Sequence, residues 1–167
     1  EKMSDQLPDR WVTSVSHHPD IENKIYVTFS GYRYGENSGY IYTMDYPSAE
    51  WVSISDGLPQ VPVNDMIVIP NTNEIVVASD VGVFISNDDS EWESLGDELP
   101  RVVITDLDYH DVEDKLVVAT YGRSMFNYTF DRNVSVEEVS DAEVFTIFPN
   151  PISDYLKIDL DESVPLE

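Results

Sequence analysis

One short signature occurs three times in this chain and limits the fold more than any other feature. It reads Ser4-Asp5-Gln6-Leu7-Pro8, then Ser55-Asp56-Gly57-Leu58-Pro59, then Gly96-Asp97-Glu98-Leu99-Pro100. Self-similarity at intervals of this size marks a repeat architecture, in which each unit buries its apolar surface against the next. After each Leu-Pro comes an extended segment: Trp11 to His17, Val63 to Ile69, and Val102 to Tyr109. A turn follows, then a β-branched run: Lys24 to Thr28, Glu74 to Ala78, and Lys115 to Thr120. A third strand reads Gly39 to Thr43, Gly82 to Ser86, and Ser124 to Tyr128. Two repeats finish with a Trp-led strand, Trp51 to Ile54 and Trp92 to Leu95, and the third lacks one.

Four short strands per repeat, rich in Val, Ile, Tyr and Trp, predict an all-β chain, and no stretch shows helical periodicity with caps. Runs such as Ile75 to Ala78 are apolar throughout rather than alternating, as expected of strands buried on both faces. Repeats of this size and strand content match the blades of a β-propeller. The expectation is a partial propeller with two complete four-stranded blades, a partial third blade and a C-terminal β tail. A ring needs at least four blades, so upstream blades are expected and the piece should tend to self-associate through its open faces.

Two links between third and fourth strands carry a family resemblance. They are Thr43-Met44-Asp45-Tyr46-Pro47-Ser48-Ala49-Glu50-Trp51 and Ser86-Asn87-Asp88-Asp89-Ser90-Glu91-Trp92. Both resemble the Asp-box, or BNR repeat, of sialidase-, xyloglucanase- and sortilin-like propellers. Both depart from the usual pattern in lacking its Gly and in the spacing from Asp to Trp. The resemblance implies structural roles for Thr43, Asp45, Trp51, Ser86, Asp88 and Trp92. The Asp carboxylate would accept backbone N–H bonds in the turn, and the Trp ring would pack beneath it. The segment from Ala119 to Phe126 is similar to the closing blade of the same propellers, so the resemblance covers residues 1–130.

A second resemblance lies near the C-terminus. The string Phe148-Pro149-Asn150-Pro151-Ile152-Ser153-Asp154-Tyr155-Leu156-Lys157-Ile158-Asp159-Leu160 resembles the start of the type A sorting domain of the Bacteroidetes type IX secretion system. Pro149, Asn150 and Pro151 make its rigid turn, and Tyr155, Ile158 and Leu160 its following strand. The expected organisation is therefore propeller blades over 1–130, an acidic linker or edge strand over 131–143, and a truncated sorting domain over 144–165. Residues 166–167 read as a remnant of cloning. The resemblance implies a secreted or outer-membrane, cell-surface location, with the secretion machinery as a partner.

Charge narrows the partners. With 9 basic and 33 acidic residues the net charge is −24, and such a surface repels phosphate backbones and anionic membranes. Nucleic acid is not expected, and no apolar run approaches the length of a membrane span. There is no cysteine, so disulfides and thiolate metal sites are excluded. His17, His18 and His110 read as structural or exposed rather than as ligands, and no metal or cofactor is expected.

The insertion that lengthens the first repeat, Ser30 to Tyr40, places Tyr32, Arg33, Tyr34 and Asn37 in one loop. Aromatic faces suit sugar stacking, and Arg and Asn supply hydrogen bonds; alternatively the rings pack on the neighbouring blade. Asp80, Tyr121 and Arg123 occupy the corresponding loops of the other repeats and should point to the same face. Glycosidases need two carboxylates set across the scissile bond, and 33 acids give no basis for choosing a pair. The expected function is that of a non-catalytic piece of an exported propeller binding carbohydrate or protein. The alternative is a piece of a xyloglucanase- or sialidase-like glycoside hydrolase whose catalytic acids lie mostly upstream.

Overall fold

The computed structural model describes residues 3–32, 39–48, 50–87, 91–96, 99–130 and 132, with the backbone of two short strands at 146–148 and 157–159. The described residues are all-β and include no helix. The chain divides into two compact units, Glu1–Phe130 and Asp131–Glu167.

The first unit contains three antiparallel sheets, each a simple up-and-down meander, and none closes into a barrel. The first sheet is β1 (Trp11–His17), β2 (Lys24–Ser30), β3 (Ile41–Asp45) and β4 (Val52–Ser53), paired in that order. The second is β5 (Val63–Val68), β6 (Glu74–Ser79), β7 (Gly82–Asn87) and β8 (Glu91–Ser94). The third has three strands, β9 (Ile104–His110), β10 (Lys115–Thr120) and β11 (Met125–Thr129). In the second unit β12 (Thr146–Phe148) pairs antiparallel with β13 (Lys157–Asp159), Ile147 opposite Ile158. The Pro149-Asn150-Pro151 turn, Tyr155 and Leu160 lie outside the described residues.

Successive sheets pack face to face, and the middle sheet is covered on both sides. Ile75, Val76, Val77 and Ala78 of β6 are each at most 1% exposed. Ile75 and Val77 belong to a core with Phe29, Ile41, Val63 and Met66 of the first two sheets. Val76 and Ala78 belong to a second core with Ile104, Leu107, Leu116 and Val118 of the third. That two-sided burial is the physical reason β6 carries no polar alternation. Each valine, isoleucine, leucine, methionine or phenylalanine so withdrawn from water stabilises the unit by about 1.5–3 kcal/mol.

The sequence repeat is also a repeat of backbone irregularity. The first strand of each sheet in the first unit bulges at the sixth residue after the signature leucine. Thr13 is extra between Val12 and Ser14, Asn64 between Val63 and Asp65, and Thr105 between Ile104 and Asp106. A bulge re-aims its side chain, and here the side chain joins neighbouring sheets. Thr13 Oγ1 donates to the Val63 carbonyl at 2.6 Å. Asn64 Nδ2 donates to the Ile104 carbonyl, which occupies the same place in its repeat, at 2.9 Å. Thr105 of the last sheet turns instead to the Ala119 carbonyl of its own sheet, at 3.2 Å.

Candidate functional site

The signature serine explains how the loop end of the first sheet is built. Ser55 is buried, and its Oγ accepts from the Tyr40 and Ile41 amides at 2.9 and 3.0 Å. The same hydroxyl donates to the Ile41 carbonyl at 3.1 Å. Gly39 beside it has no room for a side chain, because a Cβ there would stand 2.3 Å from Ser53 Oγ and 2.5 Å from Ser55 Oγ. The clamp fixes Tyr40, whose hydroxyl donates to the Gly31 carbonyl at 3.2 Å. Arg10 lies over the Tyr40 ring, its guanidinium carbon 4.3 Å from the centroid, in cation–π contact. Gly31, at φ 95°, takes a backbone conformation that favours glycine and carries the chain out of β2.

Tyr32 emerges from that turn and crosses to the second sheet. Its hydroxyl donates to Asp80 Oδ2 at 2.8 Å, and Asn64 Nδ2 donates to Asp80 Oδ1 at 2.9 Å. Asp80 is thus held from two sides, and it holds the ring of Tyr32 in place. Lost hydration, followed by the hydrogen bond and charge of Asp80, pushes the Tyr32 phenol up to about 12.

A cleft of about 410 Å³ opens beside this tyrosine, lined by Asp9, Arg10, Trp11, Ser30, Gly31 and Tyr32. Trp11 is 81% exposed and Tyr32 65% exposed, so two aromatic rings are presented to solvent in one cleft with a guanidinium and a carboxylate. Such a set can stack on the apolar face of a flat polar ligand and hydrogen-bond its edge.

Of the residues singled out from sequence, the structure brings Tyr32 and Asp80 together. Arg33, Tyr34 and Asn37 lie outside the described residues. Tyr121 and Arg123 are exposed on the β10–β11 loop, the counterpart of the Tyr32 loop. Among the described residues no side-chain hydrogen bond joins either to Tyr32 or Asp80. Sequence reasoning missed Arg10 and Trp11. Both follow the signature Leu-Pro after one intervening residue, where the other repeats have Val61-Pro62 and Val102-Val103. An Arg-Trp pair in place of small apolar residues was the available signal.

The tryptophans that follow the two third-to-fourth-strand links form hydrogen bonds beyond their own sheets. Trp92 Nε1 donates to the Ile54 carbonyl at 2.8 Å, and Trp51 Nε1 to the Met3 carbonyl at 2.7 Å. Met3 and Ile54 each immediately precede a signature, so both indoles reach across to the neighbouring repeat rather than only packing beneath their own turn. In the first link the main-chain carbonyl of Asp45 closes the turn, accepting from the Ser48 amide at 2.8 Å. Thr43 Oγ1 donates to the Ile25 carbonyl at 3.2 Å, and Ser86 is buried in β7. Asp88 lies outside the described residues.

Asp65 and Asp106 meet across the second and third sheets. Desolvation first, then the charges of Asp65 and Asp108 and a hydrogen bond with Asp65, raise the Asp106 pKa. Asp65 Oδ2 also accepts from the Leu107 amide at 3.0 Å. Two carboxyls in hydrogen-bond contact are too close to straddle a glycosidic bond, which needs about 5–9.5 Å between them. The buried His18 caps its turn, Nδ1 accepting from the Asp20 and Ile21 amides at 3.1 and 3.2 Å. His110 does the same for Glu113 at 3.3 Å. Among the described residues no group of three or more His, Asp or Glu is placed to hold a metal ion.

Comparison with protein-family models returned no match, and neither did comparison with curated proteins. Among the described residues no helix is long and apolar enough to cross a membrane.

Proposed function

We propose that residues 3–130 are blades of an exported Asp-box-type propeller and that the Trp11–Tyr32 cleft binds carbohydrate. The observation that carries this reading is the pairing of two solvent-facing aromatic rings with Arg10 in one cleft, one ring anchored by Asp80. The blade assignment is supported by the repeated bulge and by the indole hydrogen bonds of Trp51 and Trp92 to the neighbouring repeat. Residues 144–165 are proposed as the start of a sorting domain that directs export.

The test is affinity electrophoresis and calorimetry of the intact chain against a panel of neutral polysaccharides and sialylated glycans. Retention by at least one glycan is expected, with roughly tenfold or greater loss in Trp11→Ala and in Tyr32→Ala, as removal of a stacking ring predicts. Absence of retention across the panel by folded chain would remove the carbohydrate reading and leave a protein ligand as the alternative.

A further inference from the structure

The bulge residue of the second sheet differs in chemistry from its two counterparts. Thr13 and Thr105 carry hydroxyls with one hydrogen each, and each gives it to one carbonyl, that of Val63 or of Ala119. Asn64 carries a carboxamide with two, and both are used: Nδ2 stands 2.9 Å from Asp80 Oδ1 and 2.9 Å from the Ile104 carbonyl. Both partners are acceptors, so the network itself fixes which end of the amide faces them. The acid that Asn64 serves is equally particular to this repeat. Phe29, Ser79 and Thr120 pair with Val12, Val63 and Ile104, so the residues that follow them, Ser30, Asp80 and Tyr121, share one position. Carboxamide and carboxylate thus occur together in one repeat, and it is the repeat that receives Tyr32.

Asp80 has both oxygens engaged, Oδ1 by Asn64 and Oδ2 by the Tyr32 phenol at 2.8 Å. A carboxylate gripped at one oxygen by a half-buried strand residue presents its other oxygen in a fixed direction. Neither Asp80 nor Asn64 is among the residues lining the cleft, so they act on it through the Tyr32 ring. We infer that Asn64 is a positioning residue of the cleft, orienting Tyr32 through Asp80 while its second hydrogen ties that bracket to the third sheet. The inference rests on the carbohydrate reading of the Trp11–Tyr32 cleft, and adds that the ring is set from the neighbouring repeat by a residue outside the cleft. A ring set in advance spares the ordering cost that a free side chain meets on binding.

Tetranitromethane nitrates phenols through the phenolate, and a chain with no cysteine offers it no competing thiol. In the tryptic peptide 25–33 Tyr26 is 1% exposed, so nitration read there by mass spectrometry reports Tyr32. In the native chain Tyr32 should react at least about tenfold more slowly than the exposed Tyr46 and Tyr121, since each unit by which a phenol is raised costs a factor of ten in phenolate. Asn64→Thr should keep a donor for the Ile104 carbonyl, as Thr13 does for Val63, and remove the one for Asp80. Tyr32 should then nitrate several-fold faster, with Tyr46 and Tyr121 unchanged. Asp80→Ala should speed Tyr32 further, and adding Asn64→Thr to it should change nothing more, because Asn64 acts through Asp80. Retention of Asn64→Thr in the polysaccharide gels should fall in step with its nitration rate. An unchanged Tyr32 rate in Asn64→Thr, equal acceleration of all three tyrosines, additive effects in the double variant, or full glycan retention despite a loosened ring would each overturn the proposal. Absence of glycan retention by the native chain would remove the carbohydrate reading instead, and the nitration rates would then decide by themselves whether Asn64 sets the ring.

Discussion

The indole N–H of Trp92 and the carbonyl of Ile54, 2.8 Å apart, join the last strand of the second sheet to the end of the first. One repeat earlier Trp51 and Met3 form the same bond. These bonds hold a repeat in place at its outer edge, while the bulge residues Thr13 and Asn64 do so along its first strand.

Trp92→Phe tests that role. The substitution keeps most of the ring in its core and leaves the Ile54 carbonyl without its donor, so the expected loss is about 1 kcal/mol. Urea denaturation followed by tyrosine fluorescence measures it, and an unchanged midpoint would show that the ring alone matters.

Ser55→Ala removes a hydroxyl that serves the Tyr40 and Ile41 amides together. Two buried donors left unmet should destabilise the unit by about 2–4 kcal/mol. Because Tyr40 positions Gly31 and underlies Arg10, amide exchange should also speed up at residues 31 and 32 before global unfolding. Loss of stability with no local change there would separate the clamp from the cleft.

The Tyr32 phenol is raised by lost hydration and by Asp80, and Asp80→Asn should bring it down from about 12. A group whose folded pKa is raised contributes stability that is whole below its ordinary value of 10.0 and is lost as pH climbs through about 12. Ultraviolet difference titration of Tyr32→Phe against the native chain isolates its curve. Superposable curves for Asp80→Asn and the native chain would contradict the assignment.

For Asp106 the raised pKa means that ionisation works against the folded state at neutral pH. The penalty is relieved as pH falls through the raised pKa toward the ordinary carboxylate value of 3.8. Asp106→Asn should therefore raise Tm at neutral pH and lose that advantage in acid. A constant difference across the pH range would point to a cause other than the charge.

Much of the fold was legible because β-strands write their burial into local residue types. The run from Glu74 to Ala78 announced a two-sided central strand, and the spacing of the Leu-Pro signatures located each sheet. Tyr32 and Asp80 were legible as loop residues of neighbouring repeats. Their contact was not, since it spans 48 positions and depends on how one sheet sits against another. Trp11 reads as the first residue of a strand, and only the folded sheet sets its exposed ring and the half-buried Arg10 beside Tyr32.

By itself the sequence determined the strands, their order and the repeat, because those follow from side-chain periodicity and from Gly and Pro in the turns. Tertiary structure alone decided that Trp51 and Trp92 hydrogen-bond to a neighbouring repeat and that Trp11 and Tyr32 share a cleft. The physical reason is that position along the chain fixes what a residue can bury, while the packing of one sheet on the next fixes whether anything is there to bury it.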